Sequence, residues 1–590
     1  MLRRMRVPAL PAVILAAAVT GAPGPPSTQP ARALTGGAIV RDVGATYLRA
    51  LSEESLFLKL RQGMPISRLP DITLAGVETR SRNARRLLER LESVPAAGLD
   101  EEDVLSSEML KRKLRFDAES PRAYWLGFDV TPYVSPLGEV HAAFRAWPLR
   151  TADDAARYRA LLAKYPAFVD DIRARLLGQA EHGIRVPKDE LPAVRAYLSG
   201  ATGATSPFAV DEARLAALPP ADAAAFRQAL PPLVAAADRA LVDLAALIDD
   251  RYAAQAPDTV GLSQYPGGHA AYESLVRLHT TLDVTPAQVH QIGLDEVARI
   301  EARMAGVRAE LAFTGSAVEF REAVRRNPRF IAKTADEVGD RLMSYVARIE
   351  PRVDAFFLHR PKAPYGVKRL EAEREPGMTF GIYEPPSPSE PRGLYRFNGS
   401  KLEERSLLSA GALVYHELVP GHHFQFTLAL ENEAIPPFRR ELLDTAYIEG
   451  WGEYASSLGE EMGLYGDPYD LYGRLSMDMF LAVRLVVDTG MNAMGWPREK
   501  AVAYMRDHLM ESDTQIATES LRYSVDIPGQ ALAYKMGSRG LRELRGRAEA
   551  ALGARFDVRR FHDCILGSGS LPLSTLGRKV DAFIAKEKAP

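Results

Sequence analysis

The sequence predicts a mostly α-helical protein built as one large domain, with a small β-hairpin or sheet beside a histidine-rich helix. Alanine, leucine, arginine and glutamate, which favour helices, dominate long stretches in which apolar residues recur three and four positions apart. These stretches are 80–115, 150–185, 208–250 and 285–310. The sequence shows no convincing internal repeat, low-complexity tract or long polar linker, so one domain over 34–590 fits better than several small ones.

The start of one helix is explicit at Thr285. Threonine can cap a helix, Pro286 suits the first helical position, and Gln288 stands where the second partner of a capping box belongs. The sequence therefore predicts a helix that begins at Pro286.

The stretch 376–400 breaks the helical pattern. Alternation over Thr379–Tyr383 predicts a short strand, and Pro385 and Pro386 force a turn after it. A second strand is predicted around Leu394–Phe397. Two interpretations are equally compatible with this hairpin: a plain surface hairpin, or a strand edge that binds an extended peptide through backbone hydrogen bonds.

The first residues have the pattern of an export signal. Three arginines among the first six residues precede the apolar stretch Val7–Val19, which is too short to span a bilayer. Ala31–Ala33 offers a cleavage site of small residues, and an earlier cut near Ala22 is an alternative. We expect a signal peptide over 1–33, a periplasmic or secreted mature protein, and no stable membrane anchor, because no cysteine follows the apolar stretch for lipid attachment.

The composition is that of an ordinary globular protein and excludes several kinds of partner and site. Of the 590 residues, 46% are hydrophobic and 25% charged, and the net charge is −2. The sequence therefore has no excess of positive charge that would favour nucleic acid or an anionic membrane. The single cysteine, Cys564, excludes an intramolecular disulfide framework and a cysteine-rich metal site.

Three of the eleven histidines fall within eight residues, at His416, His422 and His423. Glu417 directly follows the first of them. Neutral imidazoles are good zinc ligands, and a carboxylate beside a ligand can act as general base toward water that the metal activates. The cluster therefore predicts a zinc centre. The alternative, a helix end whose histidines cap carbonyls or pack, does not explain Glu417.

The spacing of these histidines differs from the usual pair of zinc ligands four residues apart on one helix. The residue four positions after His416 is Pro420, which cannot bind a metal. On an unbroken helix His423 would share the face of His416 but lie about 10.5 Å further along the axis, and His422 would point away. Pro420 and Gly421 argue against an unbroken helix. A bulge or kink there would bring His422 to the position of the missing ligand, with His423 as the alternative.

A zinc site needs a third protein ligand and an open position for water. Glu449 and Glu453 lie one turn apart on a predicted helix downstream, so both can face the metal helix. We expect one of them to be a ligand and the other to support the site or to lie on the surface.

These residues resemble those of a known family. His416–Gln425, Glu449–Trp451 and Pro528–Gly537 resemble the bacterial domain-of-unknown-function 885 family, and Tyr272–Gly293 fits the same pattern. More distantly, the chain is similar to the helical gluzincin peptidases, such as the thimet-oligopeptidase, angiotensin-converting-enzyme and thermostable-carboxypeptidase groups. The resemblance implies a gluzincin-like helical fold with a central substrate channel, a Zn²⁺ cofactor and a peptide substrate.

The resemblance also implies roles for particular residues. Matching Gly-His to Gly-His assigns His422, rather than His423, as the second ligand, and Glu449 then takes the third position. Tyrosines near the C-terminus of the related peptidases help to stabilise the tetrahedral intermediate. Tyr534 is the first candidate for that role and Tyr523 the second, with ordinary helix packing as the alternative for either.

Two positions depart from the family pattern. Ser456 stands where another glutamate is common, and Asn492 stands near the place of a frequent histidine. These departures could alter substrate handling but leave the three proposed ligands in place. Lys535, Arg539 and Arg522 could hold a peptide carboxylate, and exposed surface cations are the alternative.

The expected reaction is metal-assisted hydrolysis of peptide bonds. Zinc held by His416, His422 and Glu449 lowers the pKa of water toward about 7. Glu417 takes a proton from that water and later delivers it to the leaving amine, while Tyr534 donates a hydrogen bond to the developing oxyanion.

Other classes of function are compatible with parts of the pattern. One is a metal-dependent hydrolase of amides or esters other than peptides, because the same chemistry serves many carbonyl substrates. Another is an inactive helical binding protein, against which the intact Glu417 argues. A serine hydrolase is disfavoured, because Gly567–Ser570 lacks the spacing of a nucleophile elbow.

Overall fold

Helices make up most of the chain in the computed structural model, which describes residues 35–371, 375, 380–387 and 390–589. The predicted signal peptide over 1–33 and residue Thr379 of the predicted first strand lie outside these residues. The predicted mostly α-helical fold with a small sheet is confirmed.

The described part of the chain contains 25 α-helices, of which 15 precede the sheet and 10 follow it. The first 15 are α1 (Gly36–Glu54), α2 (Leu56–Arg61), α3 (Leu74–Glu92), α4 (Glu101–Glu119), α5 (Pro136–Ala146), α6 (Ala152–Leu162), α7 (Tyr165–Glu181), α8 (Leu191–Gly200), α9 (Glu212–Leu215), α10 (Pro220–Ala246), α11 (Asp250–Gln255), α12 (Gly268–Thr280), α13 (Pro286–Glu310), α14 (Ala317–Arg325) and α15 (Ala335–Ile349). The helices after the sheet are α16 (Ala410–Glu417), α17 (His422–Glu431), α18 (Pro437–Glu441), α19 (Thr445–Glu461), α20 (Pro468–Ala493), α21 (Arg498–His508), α22 (Asp513–Leu521), α23 (Leu532–Leu552), α24 (Val558–Leu566) and α25 (Leu573–Lys588).

The helix predicted to start at Pro286 is α13. The Thr285 side chain accepts a hydrogen bond from the backbone N–H of Gln288, and the Gln288 side chain accepts one from the backbone N–H of Thr285. This is the capping box that the sequence predicts. The stretch 80–115 is helical in two pieces, α3 and α4, and Gly98 with φ of 102° lies in the turn between them.

Three strands form a small sheet: β1 (Tyr365–Arg369), β2 (Gly381–Glu384) and β3 (Gly393–Phe397), in the order β1-β3-β2. The predicted hairpin is present, since β2 and β3 are antiparallel with Tyr383 opposite Tyr395. Strand β1, which pairs with β3 in parallel, has no counterpart in the sequence prediction. Its residues are exposed or half-buried, so they show no clear alternation of apolar and polar side chains.

The helices that follow the sheet pack closely on one another and on α13, which precedes it. Helix α19 packs between α16 and α23, and α20 packs on α13. At the crossing of α19 and α23, a Cβ added to Gly450 would come within 2.5 Å of the Gly537 backbone, so the two helices approach more closely than larger residues would permit. Helix α19 also packs on α16, and its glutamates Glu449 and Glu453 lie beside His416 near the end of α16. No helix within the described ranges is both long and apolar enough to span a bilayer.

Candidate metal centre

The helix that carries His416 ends directly after it, and a second helix begins at His422. Helix α16 ends at Glu417, and α17 starts at His422 after a non-helical connection. In that connection the Val419–Pro420 peptide is cis, and Gly421 has φ of −78° and ψ of −125°. The break in the helical hydrogen-bond ladder at Pro420 and Gly421, predicted from the sequence, is therefore present.

Gly421 is required by the close approach of the two helix ends. A Cβ at this position would overlap the backbone carbonyl oxygens of His416 and Tyr415. Trp451 of α19 holds the connection from the other side, because its indole N–H donates to the carbonyl oxygens of Pro420 and Gly421 at 3.0 and 3.2 Å. The connection thus turns the chain so that His422 faces His416, with ring centroids 4.7 Å apart.

The side chains of His416, His422 and Glu449 converge on one point. The Nε2 atoms of His416 and His422 lie 3.6 and 3.5 Å from Oε2 of Glu449. One ligand atom from each of the three residues lies within 4.8 Å of the others. Both histidines are buried and Glu449 is half-buried.

These three residues fit a zinc ion. Two imidazole nitrogens and one carboxylate oxygen are the donor set of several catalytic zinc sites. Zinc bonds to such donors are about 2.0–2.2 Å long, so tetrahedral coordination places the donor atoms roughly 3.3–3.6 Å apart. The two separations from Glu449, 3.6 and 3.5 Å, agree with this range.

Electrostatics at this point favour a positive charge. Burial lowers the pKa of His416, but the carboxylates of Glu449, Glu453 and Glu417 outweigh burial and raise it to about 10. Burial raises the pKa of Glu449, but the two histidines outweigh burial and hold it well below its usual range. The carboxylates therefore favour a positive charge at the His416 ring.

Glycine makes room for the His416 ring on α19. A Cβ added to Gly452 would lie within 2.8 Å of the His416 imidazole. Glu449 lies about one turn before Gly452 and Glu453 directly after it. The ring of His416 therefore lies against α19 between the two glutamates.

The sequence predicts that one of Glu449 and Glu453 is a ligand and that the other supports the site or lies on the surface. The structure places Glu453 in the supporting position. Its Oε2 lies 3.9 Å from Nδ1 of His416, whereas Nε2 of the same ring faces Glu449. Its Oε1 accepts a hydrogen bond from Arg474 of α20. Glu453 is fully buried, so it is not a surface carboxylate. A carboxylate behind a metal-binding histidine orients the ring and directs the other nitrogen toward the metal.

His423 points away from His416 and Glu449. Its Nε2 lies 3.1 Å from the carbonyl oxygen of Ala363, and its Nδ1 lies 3.0 Å from the Tyr383 hydroxyl on β2. Burial lowers the pKa of His423 to about 4, so the ring is neutral at pH 7. With both nitrogens engaged, His423 ties α17 to the sheet, and the structure places His422 with the other two candidate ligands.

Glu417 is half-buried at the end of α16. Burial raises its pKa, while the charges of His416 and His422 lower it and that of Glu449 raises it. The charge of Glu417 in turn raises the pKa of Tyr383, although burial is the larger cause there. The charge of Glu417 is therefore felt both by the candidate ligands and by Tyr383 of the sheet.

The two candidate tyrosines occupy different environments. The Tyr534 ring stacks at 6.2 Å from the His416 ring, and its hydroxyl makes no hydrogen bond to a described residue. Burial, with the charge of Glu449, raises the pKa of Tyr534 to about 12, so its proton stays available for donation at pH 7. Tyr523 is buried, donates to Glu519 and accepts a hydrogen bond from Arg484 at 2.7 Å. Tyr534 is therefore the tyrosine with a free hydroxyl beside the centre.

The three cations considered as carboxylate ligands are already paired. Lys535 is buried, and its Nζ forms salt bridges with Asp478 at 2.5 Å and with Glu296 at 2.9 Å. The other two also have acidic or polar partners: Arg522 pairs with Glu519 and donates to Gln530, and Arg539 pairs with Glu543. The structure thus contradicts the interpretation of Lys535 and Arg522 as exposed surface cations, because both side chains are buried.

The two residues that depart from the family pattern, Ser456 and Asn492, form hydrogen bonds within the protein. Ser456 donates to the carbonyl oxygen of Ala412 at 2.8 Å, which joins α19 to α16. Asn492 accepts from the backbone N–H of Leu262 at 3.0 Å and donates to the carbonyl oxygen of Tyr523 at 2.9 Å. Both side chains therefore join helices around the centre.

Arg474 is the supporting residue that has no counterpart in the sequence prediction. Its guanidinium is 2% exposed, so its charge needs an acidic partner, and that partner is Glu453. No local motif marks Arg474. Helix α20 also carries Asp470, Asp478, Arg484 and Asp488, so a charged residue in this helix does not by itself indicate the role of Arg474.

Most of the chain matches the model of a known protein family in sequence. The family model described as a bacterial protein of unknown function, DUF885, matches residues 58–580. No curated protein matches the chain in sequence.

Two solved structures are similar over nearly the whole chain. A candidate lipoprotein from Colwellia psychrerythraea has a TM-score of 0.87 and 25% sequence identity, covering 94% of this chain and 100% of that one. A candidate lipoprotein of unknown function from Shewanella oneidensis has a TM-score of 0.73 and 17% identity, covering 92% of this chain and 99% of that one. The second likeness shows the fold alone.

Proposed function

The chain belongs to the DUF885 family, and from that premise we propose that it is a zinc-dependent peptidase that acts outside the cytoplasm. The observation that carries the proposal is the convergence of His416, His422 and Glu449, with Glu417 directly after the first histidine. Buried imidazoles that face a carboxylate at 3.5 and 3.6 Å can hold a metal ion, and Glu417 is the group that would make such a site catalytic.

The proposed cofactor is one Zn²⁺ ion held by His416, His422 and Glu449. When bound there, zinc supplies Lewis acidity toward a carbonyl group and lowers the pKa of water to about 7. Glu453, whose Oε2 lies 3.9 Å from Nδ1 of His416, would help to direct Nε2 of that ring toward the ion.

In the proposed reaction a side chain of the protein transfers the proton from water to the leaving amine. The Glu417 carboxylate takes one proton from the attacking water and carries it to the nitrogen of the scissile amide, so the amine leaves in its neutral form. Partial burial and the charge of Glu449 raise the pKa of Glu417, which strengthens it as a base. The Tyr534 hydroxyl donates a hydrogen bond to the oxygen that becomes negative as the carbonyl carbon turns tetrahedral.

Strand β2 is suited to hold an extended peptide beside this centre. Among the described strands it lies at an edge of the sheet, next to β3 alone. Tyr383 of β2 lies with its ring 6.3 Å from the His422 ring. A peptide that adds to β2 on the side away from β3, through backbone hydrogen bonds, would therefore pass close to the proposed metal ligands.

Two observations support a location outside the cytoplasm. The similar structure from Colwellia psychrerythraea is described as a candidate lipoprotein. The N-terminal sequence of this chain has the charged and apolar pattern of an export signal. The location is tested by mass spectrometry of cell fractions, where a chain that keeps its first residues in the cytoplasm would contradict it.

Metal analysis combined with a peptide digest tests the proposed activity. Purified protein should contain about one zinc per chain, and it should cleave members of a mixed peptide library. Activity should disappear with a chelator and return with added zinc. A protein that binds no zinc at this site would refute the proposal. A zinc-loaded protein that cleaves esters or other amides but no peptide would instead identify the non-peptide hydrolase.

A further inference from the structure

A row of contacts leads from the candidate metal centre to Tyr133, in the connection between α4 and α5. We propose, on the premise of the peptidase function above, that the Tyr133 ring binds an apolar side chain of the substrate next to the cleaved bond. This subsite prefers leucine to alanine and rejects lysine.

Aromatic rings and guanidinium groups form the row. It begins at Tyr534, which stacks on the first candidate zinc ligand, and the Arg484 guanidinium lies 4.8 Å from the centre of the Tyr534 ring. Glu519 joins Arg484 to Arg522 through nitrogen–oxygen distances of 3.1 and 3.2 Å. The guanidinium of Arg522 lies in turn 4.8 Å from the centre of the Tyr133 ring. Tyr133 is therefore the far end of a continuous row that starts at the metal centre.

Accessibility differs along the row. Arg484, Glu519 and Arg522 are buried. Tyr534 is half-buried and Tyr133 is 38% exposed. A substrate therefore meets the two tyrosines rather than the charged groups between them.

The two tyrosines border the same open space. Burial is the largest cause of the raised pKa of both Tyr133 and Tyr534, and the charge of Glu449 also raises both. Tyr133 is itself among the groups that raise the pKa of Tyr534, so the three side chains lie near one another. A side chain that protein surrounds but solvent still reaches lies in a cleft. Tyr133 therefore lines the cleft that leads to Tyr534 and Glu449.

The connection that carries Tyr133 is held firmly at its base. Asp129 is buried and pairs with Arg175 of α7 at 2.7 Å. Val130 and Thr131 are buried as well. Binding residues commonly stand on loops that a rigid scaffold positions. The base of this connection thus fixes where Tyr133 enters the cleft.

Arg522 and Arg484 determine which charges the subsite rejects. The Arg522 guanidinium is fixed, because it pairs with Glu519 and donates to Gln530 at 2.7 Å. It holds the Tyr133 ring through a cation–π contact. Because Arg484 and Arg522 pair with the same carboxylate, a lysine side chain over this ring would be repelled by the two arginines.

An apolar side chain suits the Tyr133 ring best. An acidic side chain would lose its water while the guanidinium groups stay buried beneath the ring. A leucine or phenylalanine side chain loses no hydrogen bonds to water and gains contact with the ring. An alanine side chain is too short to gain the same contact.

Two series of peptides, varied at the residue before or the residue after the cleaved bond, test the subsite. In one series kcat/KM should fall in the order leucine, alanine, lysine, by about ten-fold or more between leucine and alanine. Tyr133→Ala should remove this preference by raising KM for the leucine peptide, with kcat nearly unchanged, because the contact is one of binding. Tyr133→Phe should retain the preference, because the ring makes the contact.

Phe57→Ala is the matched control. Phe57 is 63% exposed and its ring lies 5.8 Å from the Arg61 guanidinium, so it is also an exposed ring beside an arginine, but it stands on α2. This variant should leave the preference unchanged, and urea unfolding should show that both alanine variants are folded. A leucine preference that survives Tyr133→Ala, or one that Tyr133→Phe also removes, would overturn the inference. A preference for lysine or glutamate over leucine would overturn it as well.

Peptide binding separates this inference from the proposed function. Calorimetry with the zinc-loaded Glu417→Gln protein, with and without Tyr133→Ala, measures the affinities of the leucine and lysine peptides when turnover is slow. Cleavage without a preference that depends on Tyr133 would leave the peptidase function standing and refute the subsite. Absence of cleavage by the unmodified protein, with tighter binding of the leucine peptide that Tyr133→Ala removes, would refute the peptidase function and leave the subsite standing.

Discussion

The Nδ1 atom of His416 lies 3.9 Å from Oε2 of Glu453, on the side of the ring opposite Glu449. The two glutamates, one turn apart on α19, therefore face the two nitrogens of one imidazole. Arg474 bonds to the other oxygen of Glu453 and fixes its carboxylate. This arrangement leaves Nε2 of His416 directed at the point shared with His422 and Glu449.

Glu453→Gln should weaken zinc binding without removing a ligand. The amide keeps the volume but loses the negative charge that orients His416 and makes it more basic. We expect the zinc affinity to fall about 10–100-fold, as for other changes behind a metal-binding histidine. Titration against a chromophoric chelator measures the affinity.

Glu460→Gln is the matched control on the same helix. Glu460 pairs with Arg303 at the surface, so this change should leave zinc affinity unaltered. An affinity of Glu453→Gln equal to that of the control would show that Glu453 does not support the site.

The adjacent histidines should respond differently to substitution. His422→Ala should lose tight zinc binding, because it removes one of the three converging groups. His423→Ala should keep zinc near one per chain but lower the stability, because it removes two buried hydrogen bonds that join α17 to β2 and to Ala363. Elemental analysis and urea unfolding of both variants measure the two effects. Loss of zinc from His423→Ala with retention in His422→Ala would reverse the assignment.

The local parts of the site could be predicted from the sequence. His416, Glu417 and Glu449 stand in short patterns, and Pro420 with Gly421 gives the break between helices. These features depend on neighbours along the chain, so spacing and backbone chemistry suffice to predict them.

The remaining parts depend on contacts between distant segments. Glu449 and Glu453 lie one turn apart on α19, so spacing alone does not distinguish their roles. The family resemblance points to Glu449 as the ligand, and in the structure Glu453 instead faces Nδ1 of His416 and pairs with Arg474. Strand β1 pairs with β3 although a long stretch of sequence separates the two strands. The residues of β1 show no clear alternation of apolar and polar side chains. Tertiary contacts of this kind leave no local pattern in a single sequence.

Tyr534→Phe should slow the chemical step while leaving zinc in place. Removal of one donor to the developing oxyanion lowers kcat by about 10²–10³-fold, and KM should change little. Tyr523→Phe should act on stability instead, by about 1–3 kcal/mol, because its hydroxyl joins Glu519 to Arg484 inside the protein. Steady-state kinetics with unfolding curves distinguishes the two, and equal losses of kcat without loss of stability would contradict the assignment.

The protein should lose stability as the pH falls below about 6.5. His562 is fully buried between the Tyr454 hydroxyl and the Phe356 carbonyl, and burial lowers its pKa to about 3, with Arg545 lowering it further. The unfolded chain binds a proton at this histidine near pH 6.5, whereas the folded chain does so only near pH 3. Between about pH 3 and pH 6.5 the unfolded chain binds a proton at His562 and the folded chain does not, so a fall in pH favours unfolding.

The expected contribution of His562 at pH 5 is a loss of roughly 2 kcal/mol relative to pH 7.5. Urea unfolding of metal-free protein at the two pH values measures this loss. His562→Gln removes the titrating group and should reduce the difference in stability by about the same amount. An unchanged difference in that variant would show that His562 does not contribute to the pH dependence.

Glu417→Gln should separate the general base from the metal ligands. Glutamine keeps nearly the same volume and leaves His416, His422 and Glu449 in place, so the zinc content and the folded structure should persist. It cannot accept a proton from water, so peptide turnover should fall about 10²–10⁴-fold. Glu449→Gln should instead lose zinc affinity and activity together, because Glu449 is one of the three converging groups. The measurement pairs zinc stoichiometry with peptide turnover on both variants. Near-normal turnover by the zinc-loaded Glu417→Gln protein would refute the role of Glu417 as general base.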